Sequence, residues 1–228
     1  MKRIFVILLV TLLAFAMVEA VAETKIAVTG EGQTLVSADT AVINLGVSAQ
    51  DKDVLEAQKS VNETIAAIRK ALIEMGVDES CINTDYMNIY AVYDYSGEME
   101  RLTAYNANST LAIKTTDMDK VGEIIDVSFA AGANTLNGIS FSASDITDAK
   151  ADALRMAVAD AKVKGKILAE ADGVTITGTE LITEGGVYSY ENSVGNFAAK
   201  EESVDGGTVV QAAKIVVSAS VTVTYEAE

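Results

Sequence analysis

Histidine, tryptophan and proline are all missing from the 228-residue chain, and cysteine occurs once, as Cys81. Without an imidazole, nucleophilic catalysis of the Ser-His-Asp or Cys-His kind is excluded, and zinc catalysis loses its commonest ligand. Without tryptophan, an aromatic platform for sugars would have to be built from tyrosine. A lone thiol makes no intramolecular disulfide, so the chain must be held by its core rather than by staples. Cys81 stands in "DESCINTDY", where a strand begins, and reads as a small packed residue. Basic residues are also scarce, 17 Lys and Arg against 33 Asp and Glu, a net charge of −16. Such a surface repels phosphate backbones, so nucleic acid is not an expected partner, and the excess of acid serves solubility. Nothing in the sequence explains the lack of proline.

What is present begins with "MKRIFVILLVTLLAFAMVEAVAE". Lys2 and Arg3 form a positive start, Ile4 to Val18 an apolar run, and Ala20-Val21-Ala22 a small-x-small cleavage site. This is the anatomy of a secretory signal peptide over residues 1–22, the competing reading being an uncleaved anchor. Cleavage leaves residues 23–228 and no stable membrane span. The expected location is exported: periplasmic, cell-surface or extracellular. Residues 23–228 suffice for one sizeable core or for two small lobes sharing a sheet.

Strand and helix periods alternate along the chain. "KIAVTGEG" and "ADTAVINLGVSAQ" read as strands, the second with Ala41, Ile43, Leu45, Val47 and Ala49 on one face. Val61, Ile65, Ile68 and Leu72 then recur at helical spacing within residues 54–75, and Gly76 ends that helix. "CINTDYMNIYAVYDY", a turn at Ser96-Gly97, and "YNANSTLAIKTT" follow as strands. Asp117 to Ala131 predicts a helix started by Thr116 or Asp117 and stopped by Gly132. "TLNGISFSAS" is a strand. Asp145 to Asp172 is a long alanine-rich helix, capped by Ser144 or Asp145 and ended by Gly173. Gly165 inside it implies a close crossing with another element. "VTITGTELITE" precedes a last strand, in which Ile215, Val217, Ala219, Val221, Val223 and Tyr225 face one way. Val216, Ser218, Ser220, Thr222 and Thr224 face the other. The fold class is α+β: a mixed, largely antiparallel sheet with helices on one face. The stretches "VSAQDKDVLEAQ…" and "FSASDITDAKAD…" suggest an internal strand–helix–strand duplication.

Residues 184–211 show no sustained period and are rich in Gly, Ser, Asn and Glu, which predicts a long flexible loop. Tyr188, Tyr190 and Phe197 give it sticky points for an interaction. The acidic pairs Asp51/Asp53, Asp117/Asp119 and Asp145/Asp148 could each offer oxygen ligands to calcium, but none has EF-hand spacing. All three stand at helix starts, where acids cap. Two acids facing across a cleft could hydrolyse glycosides, but no pair is singled out. In "AAGANTLNGISFSASD" a glycine ends a helix before a strand, the reverse of a dinucleotide loop. Asn134 and Asn137 there suit turn geometry.

"KIAVTGEGQTLVSADTAVINLGVSAQ", the block "YNANSTLAIKTTDMDKVGEIIDVSFAAGANTLNGISFSASD", the helix "DALRMAVADAKVKGKILAEADG" and the closing "VSASVTVTYE" together resemble the SIMPL-domain family. The resemblance spans about Lys25 to Glu226. It implies an exported protein similar to periplasmic proteins linked to oxidative-stress defence and to an immunogenic surface antigen. The eukaryotic namesake is a signalling adaptor for a Pelle-like kinase. No catalytic residues are established for the family, so the resemblance implies none here. In relatives the segment matching residues 184–211 is often rich in proline and methionine, and here it has neither. The expectation is therefore an exported, non-enzymatic protein acting through self-assembly or binding in envelope or oxidative-stress defence, without cofactor, as a homo-oligomer, its protein partner unknown. The alternatives are a carboxylate-dependent hydrolase and a calcium-dependent adhesion or interaction module.

Overall fold

The computed structural model describes residues 24–97, 99–191, 207–212 and 214–228. The leader read over residues 1–22 and Phe197 lie outside the described residues. Seven strands and three α-helices follow in the order β1 (Thr24–Ser37), β2 (Thr40–Asp51), α1 (Val54–Glu74), β3 (Ile82–Asp94), β4 (Arg101–Thr115), α2 (Val121–Ala130), β5 (Thr135–Ser142), α3 (Thr147–Asp172), β6 (Ile176–Glu191) and β7 (Lys214–Ala227). The α+β class holds, but the strands form two sheets rather than one, in the orders β1-β7-β6 and β3-β4-β2-β5. Alternation reveals which face of a strand is buried and not which strand it pairs with, so the single sheet was one pairing among several. The chain divides into two compact units: one holds the described residues up to Gly32 with Leu154–Gly186 and Ala219–Glu228, the other Gln33–Ala153 and Val187–Ser218.

In the larger unit β4 pairs antiparallel with both β2 and β3, and β5 pairs antiparallel with β2. Ile43, Leu45, Leu111 and Ile113 are fully buried under Ile68 and Leu72 of α1 and Ile124 of α2. The helix boundaries follow from local hydrogen bonds. Asp53 accepts from the Leu55 amide at 2.8 Å, as its capping role requires. Gly76 (φ +100°) lets the Val77 amide reach back to the Leu72 carbonyl, and Gly132 (φ +109°) does the same for Ala133 and Ser128, so both helices stop where expected. The α2 start differs: a 3-10 turn over Met118–Lys120 precedes it, and Asp117 makes no side-chain cap.

The asparagines do more than shape turns. Asn134 accepts from the Ser48 amide and donates to the Ser48 carbonyl, both at 2.8 Å, standing in for a strand residue beside β2. Asn137 donates to the buried hydroxyl of Thr110 at 2.9 Å. The stretch is a joint that staples β5 to the sheet. The duplicated strand–helix–strand segments both exist, yet β2 and β3 share a sheet whereas β5 and β6 belong to different ones. Their resemblance in sequence therefore has no counterpart in topology.

In the smaller unit α3 covers the inner faces of β1 and β7. Ala153, Ala157, Ala161, Gly165 and Ala169, spaced by four, are its buried residues, the first just outside this unit. A Cβ on Gly30 of β1 would lie 2.1 Å from the Ala157 carbonyl oxygen and 2.5 Å from the Ala161 nitrogen, so strand and helix backbones touch there. Val221, Val223 and Tyr225 point inward and Thr222 outward, as their alternation predicts. At the start of β7 the alternation fails: Ile215, Val216 and Val217 are buried in succession, so Val216 is not on a wet face.

Candidate functional site

The alanine stripe decides what lies beside it. On one flank Asp160 accepts the Glu31 amide at 2.9 Å, and Lys164 donates to the Thr29 carbonyl at 3.0 Å while pairing with Asp160 at 2.7 Å. Each partner shifts the other: the hydrogen bond from the Lys164 ammonium holds the Asp160 carboxyl below its ordinary range, and Asp160 raises Lys164. That flank is closed against β1.

The other flank stands off β6 and leaves a groove of about 630 Å³. Its walls are Val158 and Ala169 of α3 with Ile176 and Ile182 of β6, over Val223 and Tyr225 of β7. Lys162, Lys166 and Glu170 stand along the helix side. Lys166 and Glu170 pair at 3.7 Å. Lys162 has no hydrogen bond or ion pair among the described residues. Tyr225 is 7% exposed, and its ring packs where a Gly165 Cβ would stand, 2.6 Å away. Burial raises the proton affinity of its phenol, and its hydroxyl has no hydrogen-bond partner among the described residues. Thr175, Thr177 and Thr179 also line the strand side, so the groove is a partly apolar trough in which Lys162 and Tyr225 carry polar groups unmatched among the described residues. Gly165 was the one sequence signal pointing here, since it implied a close crossing; Lys162 and Tyr225 carried no motif.

The residues expected to form an interaction loop lie elsewhere. β6 continues through Glu191, so Tyr188 and Tyr190 stand on a strand, exposed, two residues apart on one side. Residues 184–191 are thus not loop. A Cβ on Gly185 would lie 2.4 Å from the Ser220 hydroxyl, so the glycine marks a close approach to β7 rather than a break in the strand. At the far end of the same segment, Thr208 donates its amide (3.0 Å) and hydroxyl (2.5 Å) to Asp126 of α2. Tyr190 lines a small cavity of about 210 Å³ with Phe141, Ile146 and Ile215. Cys81 is half-buried in a cavity of about 380 Å³ beside Lys114, Asp117 and Lys120.

The acidic pairs resolve mostly into local turns. Asp51 accepts the Asp53 amide and Asp145 the Thr147 amide, at 2.9 and 2.8 Å. Ser144 is no cap but donates to Asp39. Among the described residues no three His, Cys, Asp or Glu side chains converge on a metal position. Every displaced carboxyl among the described residues binds its proton less tightly than usual. Hydrogen bonds from Ser144, Ser80, Ser96, Thr208 and Thr147 lower Asp39, Asp78, Asp94, Asp126 and Asp145 in turn, as Lys164 lowers Asp160. A general acid needs the opposite shift.

Residues 26–225 match SIMPL, a family described as a protein of unknown function (DUF541). The chain is 33% identical over 158 residues to the 26 kDa periplasmic immunogenic protein of Brucella melitensis, covering 66% of this chain and 62% of that protein. It is 25% identical over 168 residues to the uncharacterized protein YggE of Edwardsiella ictaluri, covering 72% and 66%. With YggE of Escherichia coli it shares 25% over 122 residues, 54% and 49% of the two chains. The chain thus spans about three fifths of the length of the Brucella relative. That relative's periplasmic name agrees with the export read from the N-terminal residues, and the localisation is exported, periplasmic.

Proposed function

This chain belongs to the SIMPL family, and on that premise we propose that it is a non-enzymatic periplasmic protein that works through self-assembly or binding in envelope or oxidative-stress defence. One observation carries the self-assembly. Opposite its buried stripe, α3 presents Val163 and Ile167 to solvent, 58% and 57% exposed. A helix that is apolar on both sides belongs in an interior, and among the described residues nothing covers the second side of this one. β6, at the edge of its sheet among the described residues, adds exposed Leu181. The occupant that suits such a face is a second copy of the chain, since most assemblies of one chain close by symmetry. The stress-defence role rests on the family resemblance.

The test is solution mass by light scattering for the chain without residues 1–22, and for Val163→Lys with Ile167→Glu. Both substituted side chains are exposed, so the fold stands. The expected result is an oligomer that the double variant dissociates. A monomer at every concentration and salt overturns the self-assembly.

A further inference from the structure

We propose that the groove between α3 and β6 is a binding site for a single-chain fatty acid. Its volume of about 630 Å³ lies within the range of about 300–1,000 Å³ typical of small-ligand sites. The floor and walls supplied by Val158, Ala169, Ile176, Ile182 and Val223 suit a hydrocarbon chain, with Thr175, Thr177 and Thr179 on the strand side. Lys162 is an ammonium without a counter-ion among the described residues, in a chain whose net charge is −16. Its neighbours on α3, Lys164 and Lys166, are both paired, with Asp160 and Glu170. The nearest further acid on β7, Glu226, alternates to the sheet face opposite Tyr225 and rests against Gly178. Tyr225 is more than nine-tenths buried, yet its hydroxyl bonds to nothing among the described residues. That hydroxyl still reaches water, since Ser218 alone among the described residues has a buried side-chain polar atom without a hydrogen bond, so it stands as a free donor at the groove. A carboxylate head completes both groups, accepting from Lys162 and from the Tyr225 hydroxyl, while its chain fills the trough.

A fatty alcohol offers the same chain without the charge, and a phospholipid surface offers charge without a free single chain. The experiment therefore uses fluorescence of cis-parinarate with the full chain, displaced by palmitate or by hexadecanol, beside sedimentation with phosphatidylglycerol vesicles. The expected result is saturable uptake of one parinarate per chain and displacement by palmitate at least about tenfold better than by hexadecanol, the size of one charge-assisted hydrogen bond. Lys162→Ala erases that preference, and Tyr225→Phe weakens palmitate about fivefold with the ring still in place. Val163→Lys with Ile167→Glu, on the opposite side of α3, leaves uptake unchanged, which separates this site from self-assembly. Absence of saturable uptake overturns the proposal. So does equal displacement by acid and alcohol, a Lys162→Ala variant that keeps the preference, or binding to vesicles without binding to palmitate.

Discussion

Replacing Val221 by aspartate, and separately Thr222 by aspartate, puts the same charge on adjacent positions of one strand and sends it in opposite directions. Val221 is 3% exposed beneath α3, and Thr222 is exposed. Val221→Asp forfeits about 1.5–3 kcal/mol of apolar burial. It also places a carboxylate in an apolar interior without a partner, at a further cost of several kcal/mol. The sum exceeds about 5 kcal/mol, which is the whole stability of many small domains. Thr222→Asp loses one long hydroxyl contact to Thr29 at 3.4 Å and some strand preference, about 1 kcal/mol at most. Val221→Thr separates the causes, because it keeps the shape and buries only a hydroxyl, costing about 1–3 kcal/mol. Urea melts followed by far-UV circular dichroism should give Val221→Asp by far the lowest midpoint, Val221→Thr an intermediate one and Thr222→Asp the highest of the three. If Thr222→Asp lowers the midpoint as much as Val221→Asp, the register of β7 is wrong.

The remaining expectations are smaller perturbations of the same structure. Gly30→Ala forces a methyl against the Ala157 carbonyl and the Ala161 nitrogen, which are backbone and cannot swing aside, so it should cost about 1–3 kcal/mol in a urea melt; a neutral variant would mean that α3 and β1 are not in contact. The Ser218 hydroxyl is buried with no hydrogen bond among the described residues, so Ser218→Ala should leave the melting temperature unchanged or raise it, and a clear fall would reveal a partner. Asp39, Asp78, Asp94, Asp126, Asp145 and Asp160 all have folded-state pKa values lowered from the ordinary 3.8. Their contribution to stability is complete above that value and vanishes as pH falls through the lower folded ones. The melting temperature should hold down to the ordinary aspartate range and drop below it; a steep fall between pH 7 and 5 contradicts this. Because the assembling chains carry a high negative charge, the oligomer should tighten between low and moderate salt, and a mass that falls with added salt would refute an apolar contact.

Much of the fold was legible because burial here follows period. Ala41, Ile43, Leu45 and Val47 alternate into the core, and the helix stops at Gly76, Gly132 and Gly173 are glycines of positive φ. What period cannot convey is partnership. Val216 looked wet because its alternation partners are serines and threonines, but both faces are covered at that end of β7. Residues 184–211 read as loop because they show no sustained period and are rich in Gly, Ser, Asn and Glu. In the structure the absence of a side chain at Gly185 makes room for Ser220 of the neighbouring strand, so β6 runs on through Tyr188 and Tyr190. Asn134 read as a turn former because its ability to mimic a backbone amide shows only when Ser48, 86 residues away, lies beside it.

The groove was hidden for a reason that belongs to helix geometry. Residues four apart advance by about 400° at 100° each, so a stripe with that spacing drifts by about 40° per step around the cylinder. The stripe from Ala153 to Ala169 therefore winds across α3 rather than running straight along it. Lysines that look equivalent in "KVKGK" fall on different sides of that winding line. Lys164 lands beside β1, where Asp160 and the Thr29 carbonyl take it up. Lys162 lands on the side that faces β6, where no acid among the described residues meets it. Gly165 lies on the line itself, and only its missing side chain lets the Tyr225 ring reach the helix backbone. The ring closes the groove while its hydroxyl stays unmatched. Gly165→Ala should thus disturb the groove before it disturbs the fold. The new methyl meets the Tyr225 ring edge at 2.6 Å and displaces it toward β6, while the helix itself gains about 1 kcal/mol from the loss of a glycine. Parinarate uptake should fall by much more than the urea midpoint does. Loss of both in proportion would make Tyr225 a packing residue only.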